Sequence, residues 1–117
     1  MTAPRFGSLH QGIAPEQGAE SFVELVRAGS ARVERIVSRA VINGDWYEQA
    51  WPEFVLLVAG SAALEFADGA TRELKPGDWA LLPAQCRHRV AWTDSASETI
   101  WLAVHLPPGR KAPQSFL

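Results

Sequence analysis

Residues 77–88 read Gly77-Asp78-Trp79-Ala80-Leu81-Leu82-Pro83-Ala84-Gln85-Cys86-Arg87-His88. A turn, Lys75-Pro76-Gly77-Asp78, leads into a short apolar strand, Trp79 to Leu82. Pro83 stops that strand, because proline has no N–H to give to a sheet ladder. A second strand, His88 to Thr93, follows at once. Working back along the chain, Phe54 to Ala59 is a continuous apolar run of strand length, ended by Gly60. Ala62 to Ala67 and Ala70 to Leu74 flank Asp68-Gly69, a hairpin signal because glycine accepts the positive φ of a tight turn. Working forward, Glu98 to Leu106 is the last strand, set off by the polar loop Asp94-Ser95-Ala96-Ser97. Arg32 to Ser38 and Asp45 to Gln49 supply two more candidates near the start. Many short strands with Gly and Pro turns indicate an all-β sandwich or barrel, not a parallel α/β sheet.

One stretch breaks the pattern. Ala19 to Ala28 places Phe22, Val23, Leu25 and Val26 at helical spacing, and Gly29 suits a helix C-terminus. The spacing predicts one short N-terminal helix over 19–29. Residues 1–18 carry Pro4, Gly7, Gly12, Pro15 and Gly18 and read as a loose arm. The end of the chain, 107–117, holds three prolines and reads as a second arm, with Phe116 and Leu117 able to dock elsewhere. The expected organisation is a single domain over 1–117, with its barrel over 31–106.

Composition narrows the function. The chain has 117 residues, 47% hydrophobic and 21% charged, with a formal net charge of −2. That is one soluble globular domain with enough apolar material for its own core. The charge balance offers neither a basic nucleic-acid footprint nor a polybasic membrane patch. No apolar run approaches the roughly 20 residues of a membrane span. Residues 1–12 hold one arginine and no apolar core, unlike a signal peptide. Cys86 is the single cysteine and has no internal partner. A cytoplasmic protein is the expectation. Five tryptophans, at 46, 51, 79, 92 and 101, favour a fold with an interior. They read chiefly as core, with one or two walling a pocket. Phosphate-loop, dinucleotide and Cys-x-x-Cys motifs are absent, as is a nucleophile elbow.

In two stretches the sequence resembles the cupin superfamily. The family's first motif ends in Glu, six residues and Gly, and here Glu53 is followed by six residues and Gly60. Its second motif runs Gly, five residues, Pro, one residue, Gly, two residues, His; Gly77, Pro83 and His88 fall on it in register. The spacer Ser61 to Pro76 is similar as well, and the match covers about residues 45–92. The strings Trp-Tyr-Glu-Gln, His-Arg-Val-Ala-Trp-Thr and Trp-Leu-Ala-Val-His look like those of small single-domain bacterial cupins. There are departures. The two first-motif histidines fall at Tyr47 and Gln49, the second-motif glycine is Gln85, the closing Asn is Trp92, and Gly44 is off register.

The resemblance implies a jelly-roll barrel and a homodimer. It also implies a divalent transition metal (Fe, Mn, Ni, Cu or Zn) inside the barrel, held here by Gln49, Glu53 and His88. Tyr47, Gln49 and Glu53 share parity, so one extended stretch could turn them to one face, with His88 opposite. Such a site would bind or act on a small polar molecule, with His88, Glu53 and Tyr47 as the chemical groups. Oxygenase, isomerase and lyase reactions all fit. A metal-free reading stays beside it, in which Glu53, His88, Tyr47 and Gln49 form a hydrogen-bonded pocket for a sensor or carrier. Other roles stay open residue by residue. Glu53 could pair with Arg87 or Arg89, and His88 could be a satisfied barrel histidine. His105 could add an imidazole or be structural. Cys86 could be a ligand, a reactive thiol or a small hydrophobe. His10, in the arm, is assigned nothing.

Overall fold

The computed structural model describes residues 3–12 and 14–108. Eight strands form two antiparallel sheets: β1 (Glu20–Ala28), β2 (Ala31–Arg39), β3 (Glu53–Ala59), β4 (Ala62–Phe66), β5 (Thr71–Leu74), β6 (Trp79–Leu82), β7 (His88–Thr93) and β8 (Glu98–His105). The larger sheet has the order β1-β2-β8-β3-β6, the smaller β5-β4-β7. The chain is all-β, and two sheets arranged in this way are consistent with a jelly roll. No helix among the described residues is long and apolar enough to cross a membrane.

The expected helix over 19–29 is a strand. β1 pairs along its length with β2, from Glu20 opposite Ser38 to Ala28 opposite Ala31. Gly29, read as a helix stop, has φ 60° and with Ser30 forms the hairpin turn between the two strands. A bulge explains the misleading spacing. The register slips between Glu24 and Val26, so Val23, opposite Arg35, and Val26, opposite Val33, lie on the same face three residues apart. The large sheet therefore begins at Glu20, not near residue 31. The expected strand Asp45 to Gln49 is also absent as such. Tyr47 makes an isolated bridge to His88, through Tyr47 N to His88 O (2.8 Å) and His88 N to Tyr47 O (2.9 Å). Of the expected C-terminal arm, 109–117 lie outside the described residues.

The facing surfaces of the sheets enclose Val55, Leu57, Ala62, Leu64, Leu74, Leu82 and Trp101. Leu57 is fully buried. Each such aliphatic side chain contributes roughly 1.5–3 kcal/mol by leaving water. Of the five tryptophans only Trp101 sits in this core. Trp79 is 55% exposed and stacks on Phe54 across the outer face of the large sheet.

Gly60 is the corner where the chain leaves the large sheet for the small one. Its φ is +88°, and a Cβ there would collide with Thr99 Oγ1 and lie 2.7 Å from Thr99 Cα. Glycine is required on both counts, which gives the Glu-to-Gly spacing a packing reason.

Candidate functional site

The packing of the two sheets leaves a cavity with an empty volume of about 540 Å³, counting its open mouth. Tyr47, Gln49, Glu53, His88 and His105 all line it. Three strands and the segment before β3 bring them there. Glu53 opens β3, one strand in from the edge of the large sheet, between Leu82 of β6 and His105 of β8. His88 opens β7 in the small sheet. Tyr47 is held against His88 by the backbone bridge, and Gln49 by Gln85 N donating to its carbonyl (2.6 Å).

His88 has one orientation fixed by its own loop. Its Nδ1 lies 2.8 Å from the Cys86 carbonyl, which can only accept, so Nδ1 carries the hydrogen. In the neutral ring Nε2 is then the lone-pair atom. It lies 3.9 Å from Glu53 Oε1, too far for a hydrogen bond. That oxygen is closed to solvent and has no hydrogen-bond partner. Glu53 is 6% exposed and His88 7%. Two buried atoms able to ligate a cation thus lie 3.9 Å apart. Arg87 and Arg89 do not supply the missing partner. Their guanidinium groups lie 4.8 and 4.6 Å from the ring centre of Trp46, and Arg89 also bonds Glu65 (2.8 Å).

His105 is satisfied on both sides. Trp51 Nε1 donates to its Nδ1 (2.9 Å), which leaves Nε2 to donate to Glu34 Oε1 (3.0 Å). Arg32 holds the other Glu34 oxygen at 3.3 Å. His105 therefore has no free nitrogen, and its structural reading is the one the geometry favours. Cys86 contributes through its backbone. Burial raises its thiol above the ordinary cysteine value, the opposite of an activated nucleophile.

Tyr47 is pushed above the usual phenol value, first by burial and then by the negative charges of Glu20, Asp45, Glu34 and Glu53. It stays a phenol at neutral pH and can donate a hydrogen bond. Sequence reasoning missed Glu20 and Glu34, which also line the cavity. Burial raises the Glu20 carboxyl; a hydrogen bond from Ser38 works the other way. Ser38 is itself fully buried and accepts the Trp101 indole N–H at 3.1 Å. Reading β1 as a helix hid Glu20, and nothing local marked Glu34. Alternation along β2, with Glu34, Ile36 and Ser38 on one face, was the available signal.

A donor set for a metal can be judged on these atoms. Among the described residues, no three His, Cys, Asp or Glu side chains come together as a metal-binding group. Glu53 and His88 fit a cation in charge, tautomer and burial. A third donor has to come from an amide or phenol, and Gln49 and Tyr47 are the two that line the same cavity.

Comparison with known proteins follows the same lines. The model of the cupin domain family matches residues 41–105. The chain belongs to the cupin family. No curated protein matches this cupin. It is similar to a crystallised protein of Ralstonia eutropha JMP134, provisionally assigned as a mannose-6-phosphate isomerase, at 43% identity. The alignment covers 87% of this chain and 97% of that one, with a TM-score of 0.77. A cupin superfamily protein of Desulfitobacterium hafniense is 18% identical over 80% of this chain and 83% of its own (TM-score 0.62). The Fe(II) form of HppE is 15% identical over 81% of this chain and 53% of its own (TM-score 0.68). At such identities the last two show the fold alone.

Proposed function

We propose that this cupin holds a divalent transition metal between Glu53 and His88, and binds or acts on a small polar molecule in the adjoining cavity. The observation that carries the reading is the pair of buried atoms 3.9 Å apart, Glu53 Oε1 without a hydrogen-bond partner and His88 Nε2 left as the lone-pair nitrogen by the Nδ1 contact to the Cys86 carbonyl. An isolated buried carboxylate oxygen is costly, and a cation removes that cost. Gln49 supplies the third donor through its amide oxygen. When bound, the metal would supply Lewis acidity toward an oxygen of the ligand. The chain's own groups do the rest. Tyr47 donates a hydrogen bond to the ligand. The Cys86 carbonyl keeps the proton of His88 on Nδ1. Apolar Val55, Leu64 and Leu82 exclude water from the floor of the cavity.

The test is elemental analysis of protein purified without chelator, beside Glu53→Ala and His88→Ala. The expected result is a transition metal that both variants lose while keeping the fold. A protein that holds none and refuses added Fe, Mn, Ni, Cu and Zn refutes the reading. The metal-free pocket would then stand, and it has support of its own in the short count of strong donors.

A homodimer belongs to the same proposal. Val23, Val26 and Trp79 leave apolar surface exposed on the outer face of the large sheet. Light scattering at micromolar concentration checks it, and a monomer would refute it.

A further inference from the structure

The cavity is lined by three carboxylates beside two imidazoles, His88 and His105. Glu20, Glu34 and Glu53 line it, and neither lysine nor arginine does. The three carboxylates differ in what holds them. Glu34 is tied to His105 and Arg32, while Glu20 has a hydrogen bond from Ser38. Glu53 Oε1, in a side chain more than nine-tenths buried, has nothing. The negative field of all three converges on the Tyr47 phenol. The rest of the wall adds aromatic rings, those of Phe22, Tyr47 and Trp101. Trp101 spends its N–H on Ser38, so it offers the cavity ring surface only.

Carboxylates and aromatic rings around a half-enclosed space favour one class of ligand. A cation is drawn to the carboxylates, more strongly as water is excluded, and to the negative faces of the rings. An anion meets repulsion from both. We propose that the cavity selects a small organic cation, an alkylammonium group on a polar skeleton, and disfavours phosphate esters. The inference rests on the cavity being the ligand site and names the class of molecule that enters it. It also sets this cupin apart from the substrate in the Ralstonia relative's provisional name, since a sugar phosphate would bring a dianion beside the Glu20 and Glu34 carboxylates, which a metal at Glu53 leaves in place.

Three probes separate charge from shape. Choline, its uncharged carbon isostere 3,3-dimethylbutanol, and mannose 6-phosphate are titrated calorimetrically into the protein as purified. Choline is expected to bind at least about tenfold more tightly than its isostere, with mannose 6-phosphate no better than the isostere. Glu20→Gln and Phe22→Leu should each weaken choline several-fold and leave the isostere unchanged. Phe22 is half-exposed on an edge strand, so its loss does not threaten the fold. Failure of choline to bind, equal binding of the isostere, or tighter binding of mannose 6-phosphate overturns the proposal. Metal content is read on the same samples by elemental analysis. A metal-free protein that prefers choline sinks the metal reading alone, and a metal-loaded protein without that preference sinks this one alone.

Discussion

Replacing Glu53 by methionine should stabilise the metal-free protein. Oε1 of Glu53 is closed to solvent and has no hydrogen-bond partner, and the residue is 6% exposed. A buried polar group left in that state costs about 1–3 kcal/mol. Methionine has nearly the same length, is unbranched and carries nothing that needs a partner. A volume-conserving exchange loses up to roughly 1.5 kcal/mol in packing. The net expectation is a gain of about 1 kcal/mol. For 117 residues at about 2.1 cal/mol/K each, the unfolding entropy is near 0.25 kcal/mol/K, so the gain is worth about 4 °C in Tm. The assay is calorimetric melting of chelator-treated protein, repeated after dialysis against manganese or zinc. Metal should invert the order. At a hundredfold excess over its Kd, a ligand raises the stability of the wild type by about 2.7 kcal/mol, and the variant, lacking its main charged donor, gains little. A chelated variant that melts below the wild type by more than about 4 °C would refute the reasoning, because Glu53 would then be contributing a stabilising contact. A wild type whose melting ignores metal would refute the second half.

Two further predictions concern the corners and the rim. Gly60→Ala should cost more than about 3 kcal/mol, since positive-φ strain adds to a clash with the Thr99 backbone. Gly77→Ala, at φ +95° with nothing near its Cβ, should cost only about 1–2 kcal/mol; equal urea midpoints for the two would refute the packing argument. Burial raises the Glu20 carboxyl above its ordinary 4.5. The folded state therefore binds the extra proton more readily than the unfolded chain, and stability falls as pH rises from the unfolded value through the folded one. Glu20→Gln removes that loss, so its Tm advantage over the wild type should grow from about pH 4 to neutrality, and an advantage that shrinks would sink the claim.

Most of the fold was legible, and the reason lies in its turns. Asp68-Gly69, Pro76-Gly77, Pro83 and Gly60 punctuate the chain where β4 to β7 begin or end, and the expected strands there fall within a residue or two of the observed ones. β1 was not legible because a bulge defeats a reading based on alternation. The extra residue at Leu25 changes the parity midway, and two outward-facing valines then sit at helical spacing. Asp45 to Gln49 failed for a different reason. Its Trp46-Tyr47 pair is flanked by polar residues, and within 45–49 the backbone bonds to β7 are made by Tyr47 alone, after Val41, Asn43 and Gly44 upstream, with Asn43 in the left-handed region. The segment follows the barrel wall without joining a ladder.

At the site, spacing located Glu53 and His88 but could not show their state. That state depends on contacts distant in sequence. His105 has the same residue type and strand position as a ligand would. Trp51, 54 residues away, and Glu34, 71 residues away, occupy its two nitrogens. The nitrogen that counts in His88 is freed by a contact only two residues away, the Cys86 carbonyl. The position before His88 where the family has glycine carries Gln85 at φ +64°, in the left-handed region. The backbone geometry of the motif thus survives the change of residue. A loop that keeps this strain, of order 1 kcal/mol or more, keeps the turn that aims the Cys86 carbonyl at Nδ1. The turn at Gln85 and the Cys86 carbonyl fix His88, while Tyr47 and Gln49 stand where the resemblance implies imidazoles. At those two positions this cavity offers a phenol and an amide, which stand beside the carboxylates of Glu20, Glu34 and Glu53.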